Sequence, residues 1–270
     1  MVIAPSKPIE NIFDFAFFSD FYASLNALEK IAAPEKWTYS TSEGRKNTTN
    51  PILENYIHHT FKKLWNEYSS LTDEDEKMKV IYYDGTKACF NTGLFTENYN
   101  PIYALFRIAR YADDKKPFSF CSFEQDSSNR LNDVYPLPRR ANYFSDMRDL
   151  IYDYSLELRA NSAHILDENI DRFPDDLVSN RRQLLVLFTG AVDLAKKRVR
   201  ANYKVAVPTY YNNQICLMLP LCLHDTTTTD LALAVQRGKG FYVAKTCLTL
   251  DMAYNDARLI AKPDADWLIP

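Results

Sequence analysis

The sequence predicts an α+β fold: one domain over residues 1–270, with packed helices, a hairpin region in the first half and an antiparallel β-meander in the last third. Three observations carry this. Apolar residues recur at helical spacing over two long stretches, 51–68 and 180–200. Asp84-Gly85 separates two strand-like runs, the pattern of a tight hairpin. Beyond residue 202, four strand-like runs follow one another through links too short for parallel crossovers.

The elements follow in order. Residues 9–34 read as an aromatic-rich helical segment ending near Pro34. Residues 39–50 are a polar loop. Pro51 suits a first helical turn, and Ile52, Tyr56, His59, Leu64 and Tyr68 mark the inner face of the helix it opens. The charged run Asp73 to Lys77 closes that helix as a solvated turn. Lys79–Tyr83 and Lys87–Leu94 flank the Asp84-Gly85 turn. Residues 101–110 fit helix or strand equally, 117–123 fit a strand, and a Ser/Asn/Asp-rich loop runs on through Pro138. Residues 145–172 hold a strand then a helix, or two short helices. In 180–200 the positions Leu184, Leu185, Leu187, Phe188, Ala191, Val192, Ala195 and Val199 are expected to form a buried face, and Lys196, Lys197, Arg198 and Arg200 either complement the carbonyl end of the helix or form a phosphate-facing basic patch. Strands are expected at 203–210, 214–223, 230–236 and 241–250, with Asn212-Asn213 as one turn. Pro220 requires an edge position or a bulge. A helix begins near Asp251.

Composition removes several function classes. The net charge is −3, so no global field draws the chain to nucleic acid or to acidic lipid. The six glycines form neither G-x-G-x-x-G nor G-x-x-x-x-G-K-[ST], which disfavours a Rossmann site or a P-loop. The five cysteines contain no C-x-x-C pair, so neither a zinc site nor a disulfide framework is expected, and a reducing cytoplasm fits them. Cys216 and Cys222 share strand parity and are expected to pack inward. Acidic residues interrupt the apolar N-terminal stretch, against a signal peptide, and no run is long enough to span a membrane. The 18 Tyr suit a half-buried aromatic core or a binding cleft.

The candidate chemistry is polar and cationic. Asp251, Asn255, Arg258 and Lys262 fall at i, i+4, i+7 and i+11, one face of a helix that follows a strand. Arg258 offers a planar fork of donors for phosphate, Asn255 can read a base or sugar edge, and Asp251 also suits a helix cap. His164 can move a proton near neutral pH, with Asn169 and Arg172 following it, although a lone histidine is more often structural. His58 and His59 are expected to be structural. Asn202 and Lys204 alternate with Tyr203 on the wet side of the first meander strand. Tyr203, Tyr210, Tyr211 and Tyr254 are candidate stacking platforms, and Asn91-Thr92 a lip of the same cleft. No cofactor or metal is expected, although Asp225, Asp230 and Asp251 are a set that folding is free to bring together.

Several segments also occur in a telling order. They include Ala88 to Leu94, Pro101 to Phe106, His164 to Pro174, Asn202 to Pro208, Leu219 to Leu223 and, most specifically, Leu248-Thr249-Leu250-Asp251-Met252-Ala253-Tyr254-Asn255-Asp256-Ala257-Arg258-Leu259. Together they resemble a bacterial family catalogued as domain of unknown function 3825, over a core of about 37–267 that leaves 1–36 as the helical leading segment. The resemblance implies RNA-associated company, since some members are joined to cold-shock-type domains. It implies no catalytic residues. The family's pattern reads Tyr-Asn-Asn-Ala-Arg where this chain has Tyr254-Asn255-Asp256-Ala257-Arg258, so Asp256 is expected to point away from the essential face.

The expectation is therefore an RNA- or nucleotide-directed protein. One form is a metal-independent phosphodiester or phosphoryl-transfer enzyme using His164, Lys204 and Arg258. Ligand contacts would come from Asn91, Thr92, Asn169, Arg172, Asn202, Tyr210, Asp251, Tyr254 and Asn255. The alternative is a binding module without catalysis, with RNA or a phosphate-bearing small molecule as partner. Oligomeric state is left open.

Overall fold

The computed structural model describes residues 3, 8–39, 50–109, 116–211 and 213–269. The chain is α+β, with two five-stranded sheets, and it forms two compact units, Met1–Asn142 and Tyr143–Pro270. The polar loop expected at 39–50 lies outside the described residues from 40 to 49, as do Arg110 and Asn212.

The first unit holds α1 (Ile12–Phe15), β1 (Ala16–Phe17), α2 (Phe21–Ile31), α3 (Pro51–Ser70), α4 (Glu74–Met78), β2 (Ile81–Tyr83), β3 (Lys87–Phe95), β4 (Pro101–Ile108) and β5 (Phe118–Gln125). The leading segment is thus not one helix. Asn11 and Asp14 close a capping box on α1, extended backbone begins at Ala16, and Asp20 caps α2 by accepting from the Ala23 amide at 2.9 Å. Asp73 caps α4 in the same way, so the expected charged turn is itself a short helix.

The sheet order is β1-β5-β4-β3-β2, antiparallel except for the β1–β5 pair. The Asp84-Gly85 hairpin forms as expected, with Tyr83 opposite Ala88. One sheet face packs Phe90, Phe106 and Phe118 against Phe15 and Phe61. The other buries Cys89, Tyr103 and Leu105 beneath Leu131 and Val134. With both faces covered, β4 reads Pro-Ile-Tyr-Ala-Leu-Phe without alternation, which is why 101–110 fits either element from sequence. On α3 the inner rank passes through Thr60; His59 is exposed, while His58 packs against the Phe13 and Phe21 rings at 5.1 and 5.4 Å.

The second unit holds β6 (Glu157–Arg159), α5 (Ser162–Glu168), α6 (Asp175–Val178), α7 (Arg181–Ala201), β7 (Val207–Tyr211), β8 (Gln214–Leu221), β9 (Leu231–Arg237), β10 (Phe241–Leu248) and α8 (Leu250–Arg258). Strands β7 to β10 are the antiparallel meander, and β6 joins β10 in parallel. Residues 145–172 therefore take the strand-then-helix form.

One sheet face carries Leu217, Leu219, Leu221, Leu231, Leu233 and Val235 against α5 and α7. Burying Leu184 and Phe188 of α7 there contributes roughly 1.5–3 kcal/mol each. The opposite face receives α8, which packs chiefly on β7. A bulge at Lys245 shifts the β10 register, so that Cys247 joins Ala244 on the α7 face. The β7–β8 ladder ends at Val207–Met218, so Pro220 has a strand neighbour on the β9 side alone, the edge condition a proline needs.

The first meander strand is shorter than expected. Residues Tyr203–Val205 form a 3-10 turn, because the Asn202 side chain accepts from the Lys204 amide at 3.1 Å and diverts the backbone. Asn202 and Lys204 therefore do not alternate on a strand.

Candidate functional site

A cleft of ≈ 260 Å³ opens in the second unit between this 3-10 turn, the start of β7 and the chain that follows α8. Its walls are apolar, from Ile151, Ala206, Val207, Pro208, Ala257 and Ile260. Four side chains bring other chemistry: Tyr203, Lys204, Lys262 and Asp264.

Local chemistry builds it. Asn202 ends α7, its amide donating to the Arg198 carbonyl at 2.9 Å, and its side chain then closes the turn that presents Tyr203 and Lys204. The Trp267 indole donates to the Val205 carbonyl at 2.8 Å and ties the trailing segment to that turn. Helix α8 stops at Arg258, so Lys262 lies beyond it, not on its fourth turn. Tyr203 is 55% exposed. None of the four side chains makes a hydrogen bond or ion pair with a described residue.

The other sequence candidates fall elsewhere. Arg258 is buried at 7% exposure and does not line the cleft. Tyr254 is buried, and the Asn255 amide donates to the Asp251 carbonyl at 3.0 Å. Thr249, not Asp251, caps α8, by accepting from the Met252 amide. The terminal stripe is therefore an inner face of α8 with Arg258 at its buried end. Tyr210 stacks edge-on against Tyr143 at 4.8 Å.

His164 is exposed on α5, its Nε2 3.3 Å from Glu168, and it is not among the cleft residues. Arg172 makes its bonds to other groups. The Arg172 guanidinium donates to the Cys247 carbonyl, to Asn169 Oδ1 at 2.7 Å and to Thr246 Oγ1 at 3.1 Å. Asn169, 2% exposed, also accepts from Thr246 at 2.6 Å and donates to the Ile165 carbonyl at 2.7 Å. This network sits where β6 has stopped pairing with β10, and it covers the strand edge left bare there.

In the first unit, Asn91 and Thr92 are buried at the β3–β4 register shift. Asn91 accepts from the Gly93 amide at 2.9 Å and donates to the Pro138 carbonyl at 3.3 Å; Thr92 donates to the Ile102 carbonyl at 2.7 Å. Gly93 is required there: its φ is +77°, and an added Cβ would lie 2.5 Å from Tyr56 Oη. These side chains shape a bulge and present no open donor to a ligand.

Two titratable groups stand out: Asp256, which the sequence reading set aside, and His224, to which it gave no role. Asp256 was expected to point away from the helix's important face. Burial instead pushes its carboxyl up to about 6, and no hydrogen bond or ion pair reaches it from a described residue. It influences Cys216, whose thiol burial also raises, and Cys216 lies opposite Thr209 on β7. His224 donates from Nδ1 to Asp230 at 2.6 Å and from Nε2 to Asp176 at 3.0 Å, and these bonds raise its pKa above the ordinary value. Asp230 is thereby engaged, while the Asp225 carboxylate caps the Thr227 and Thr228 amides. Among the described residues no group of three or more His, Cys, Asp or Glu is arranged to hold a metal ion. Cys216 and Cys222 are both buried, Cys222 taking a contact from Arg198 at 3.0 Å.

The family described as Domain of unknown function (DUF3825) matches residues 28–267, and the chain belongs to it. No curated protein and no solved structure matches the chain. No described helix is long and apolar enough to cross a membrane.

Proposed function

We propose that this family member is a binding module that takes a phosphate-bearing nucleotide, free or at an exposed position of single-stranded RNA, in the cleft of Tyr203, Lys204 and Lys262. The observation that carries the reading is that one exposed tyrosine and two lysines line a single small cleft, with none of the three side chains bonded to a described partner. Stacking of a base on such a ring is worth about 1–3 kcal/mol and tolerates any base. Ammonium groups supply the point charges that phosphate requires. A volume of ≈ 260 Å³ stands at the small end of ligand clefts, so the site is of a size for a single nucleotide unit at most. The catalytic alternative needs a proton carrier at the ligand, and His164, the group nominated for that work, pairs with Glu168 instead. The cysteine usage, with no C-x-x-C pair, supports a reducing compartment such as the cytoplasm for this module.

The test is titration with nucleoside monophosphates and a short single-stranded RNA at fixed salt. Lys204→Ala and Lys262→Ala are each expected to weaken binding several-fold and to flatten its salt dependence, and Tyr203→Ala to weaken it by roughly 5- to 100-fold. All three residues sit at the cleft surface, so melting temperatures should stay close to wild type. Absence of binding at millimolar ligand refutes the reading. Recovery of chemically altered ligand would restore the catalytic one.

A further inference from the structure

We infer that the cleft, taken as a nucleotide site, prefers guanine, and that Asp264 is the residue that selects it. The inference rests on the nucleotide reading above and extends it to the base. Among the described residues Asp264 is the one carboxylate lining the cleft, and it is exposed. Two lysines line the same cleft, yet Asp264 forms an ion pair with neither. A carboxylate repels phosphate, so a pure phosphate site gains nothing from it. Its presence beside two cations points to a ligand with an anionic end and a separate end rich in donors.

An ionised carboxylate only accepts hydrogen bonds, and its two oxygens suit two parallel donors. Among the four RNA bases, guanine alone presents adjacent N–H donors on its pairing edge, the ring N1–H and the 2-amino group. Adenine and cytosine present an amino group beside a ring acceptor, and uracil a single N–H between carbonyls. With the phosphate on Lys204 and Lys262 and the ring on Tyr203, the base edge is the part of the ligand left for Asp264. The ribose diol also offers two donors, and it is the competitor the experiment must separate.

Wild type and Asp264→Asn are titrated with GMP, IMP, AMP, CMP and UMP at one salt concentration. GMP is expected to bind roughly 5- to 100-fold tighter than AMP, the discrimination typical of a bidentate base contact, with IMP in between because it lacks the 2-amino group. Asp264→Asn is expected to weaken GMP selectively and leave AMP unchanged or slightly tighter, since a repulsive charge has gone. Lys204→Ala should weaken all five alike. Equal binding of all five to wild type overturns the guanine assignment and leaves the nucleotide reading standing. Uniform weakening by Asp264→Asn also overturns it and assigns the residue to ribose. Failure of every nucleotide to bind overturns both.

Discussion

Asp256→Asn should stabilise the protein at alkaline pH and do little near pH 4. The carboxyl sits on α8, which packs on the meander chiefly at β7, and burial holds its pKa at about 6 where an open chain has 3.8. The folded value lies above the unfolded one, so folding takes up a proton between these values. Stability is therefore free of the charge penalty below pH 3.8 and loses ground as pH rises through 6. At about 1.4 kcal/mol per pKa unit, the ionised carboxylate costs up to about 3 kcal/mol by pH 8. Asparagine keeps the shape and carries no charge. The difference in unfolding free energy between variant and wild type should grow from near zero at pH 4 to about 2–3 kcal/mol at pH 8. For a chain of this size that is roughly 4–6 °C in melting temperature. Denaturant melts at five pH values, followed by circular dichroism, measure it. A difference that stays flat with pH, or a variant less stable at pH 8, would refute the argument, because either means the ionised carboxylate has a compensating partner.

Two further predictions follow from networks seen in the second unit. Asn169→Ala removes a buried acceptor shared by Arg172 and Thr246, so it should cost about 2–3 kcal/mol in denaturant melts while nucleotide affinity in the folded protein is unchanged; loss of affinity at full stability would return Asn169 to the ligand site. His224 has its pKa raised by Asp230 and then Asp176, so its contribution is fully present below pH 6.5 and disappears as pH rises through the folded value. The histidine ring is exposed, so wild type should lose at most about 1 kcal/mol relative to His224→Asn between pH 6 and pH 9, and parallel pH profiles would contradict this.

The elements that read correctly from sequence are those whose burial is one-sided. Helices α3 and α7 show a 3.6-residue period because one face meets the core and the other meets water, and the meander shows in its short links. Burial on both faces erased the alternation of β4. Two residues of β1 pair with β5, 102 positions later at Ala16–Phe118, which no local pattern records. Other misses were legible. Asn11 three residues before Asp14, and Asp20 ahead of Phe21, are capping signals that divide the leading segment into two helices. Asn202 before Tyr203 is likewise a turn former. Lys204 was assigned to a strand that it does not occupy. Asp264 lies in an aperiodic segment after a helix, where nothing in the spacing marks it.

The terminal stripe shows why polar periodicity misled. A period states which residues share a helix face; it does not state whether that face is wet. On α8 the shared face carries Asn255 and Arg258 inward, against a sheet that also buries Tyr254. A polar group carried into such a place must find partners in the fold, since leaving it bare costs about 1–3 kcal/mol, and those partners occupy the donors a ligand would need. Asn91, Thr92, Asn169 and Arg172 are occupied in the same way, each by a bond that closes a bulge or covers a strand edge. Lys204 and Lys262 escape this because each stands just past a helix end, where the chain has turned out of the core and no local hydrogen bond claims an ammonium group. The side chains available to a ligand are thus those that the local turn chemistry exposes and leaves uncommitted, a condition that Tyr203, Lys204 and Lys262 meet among the residues lining the cleft.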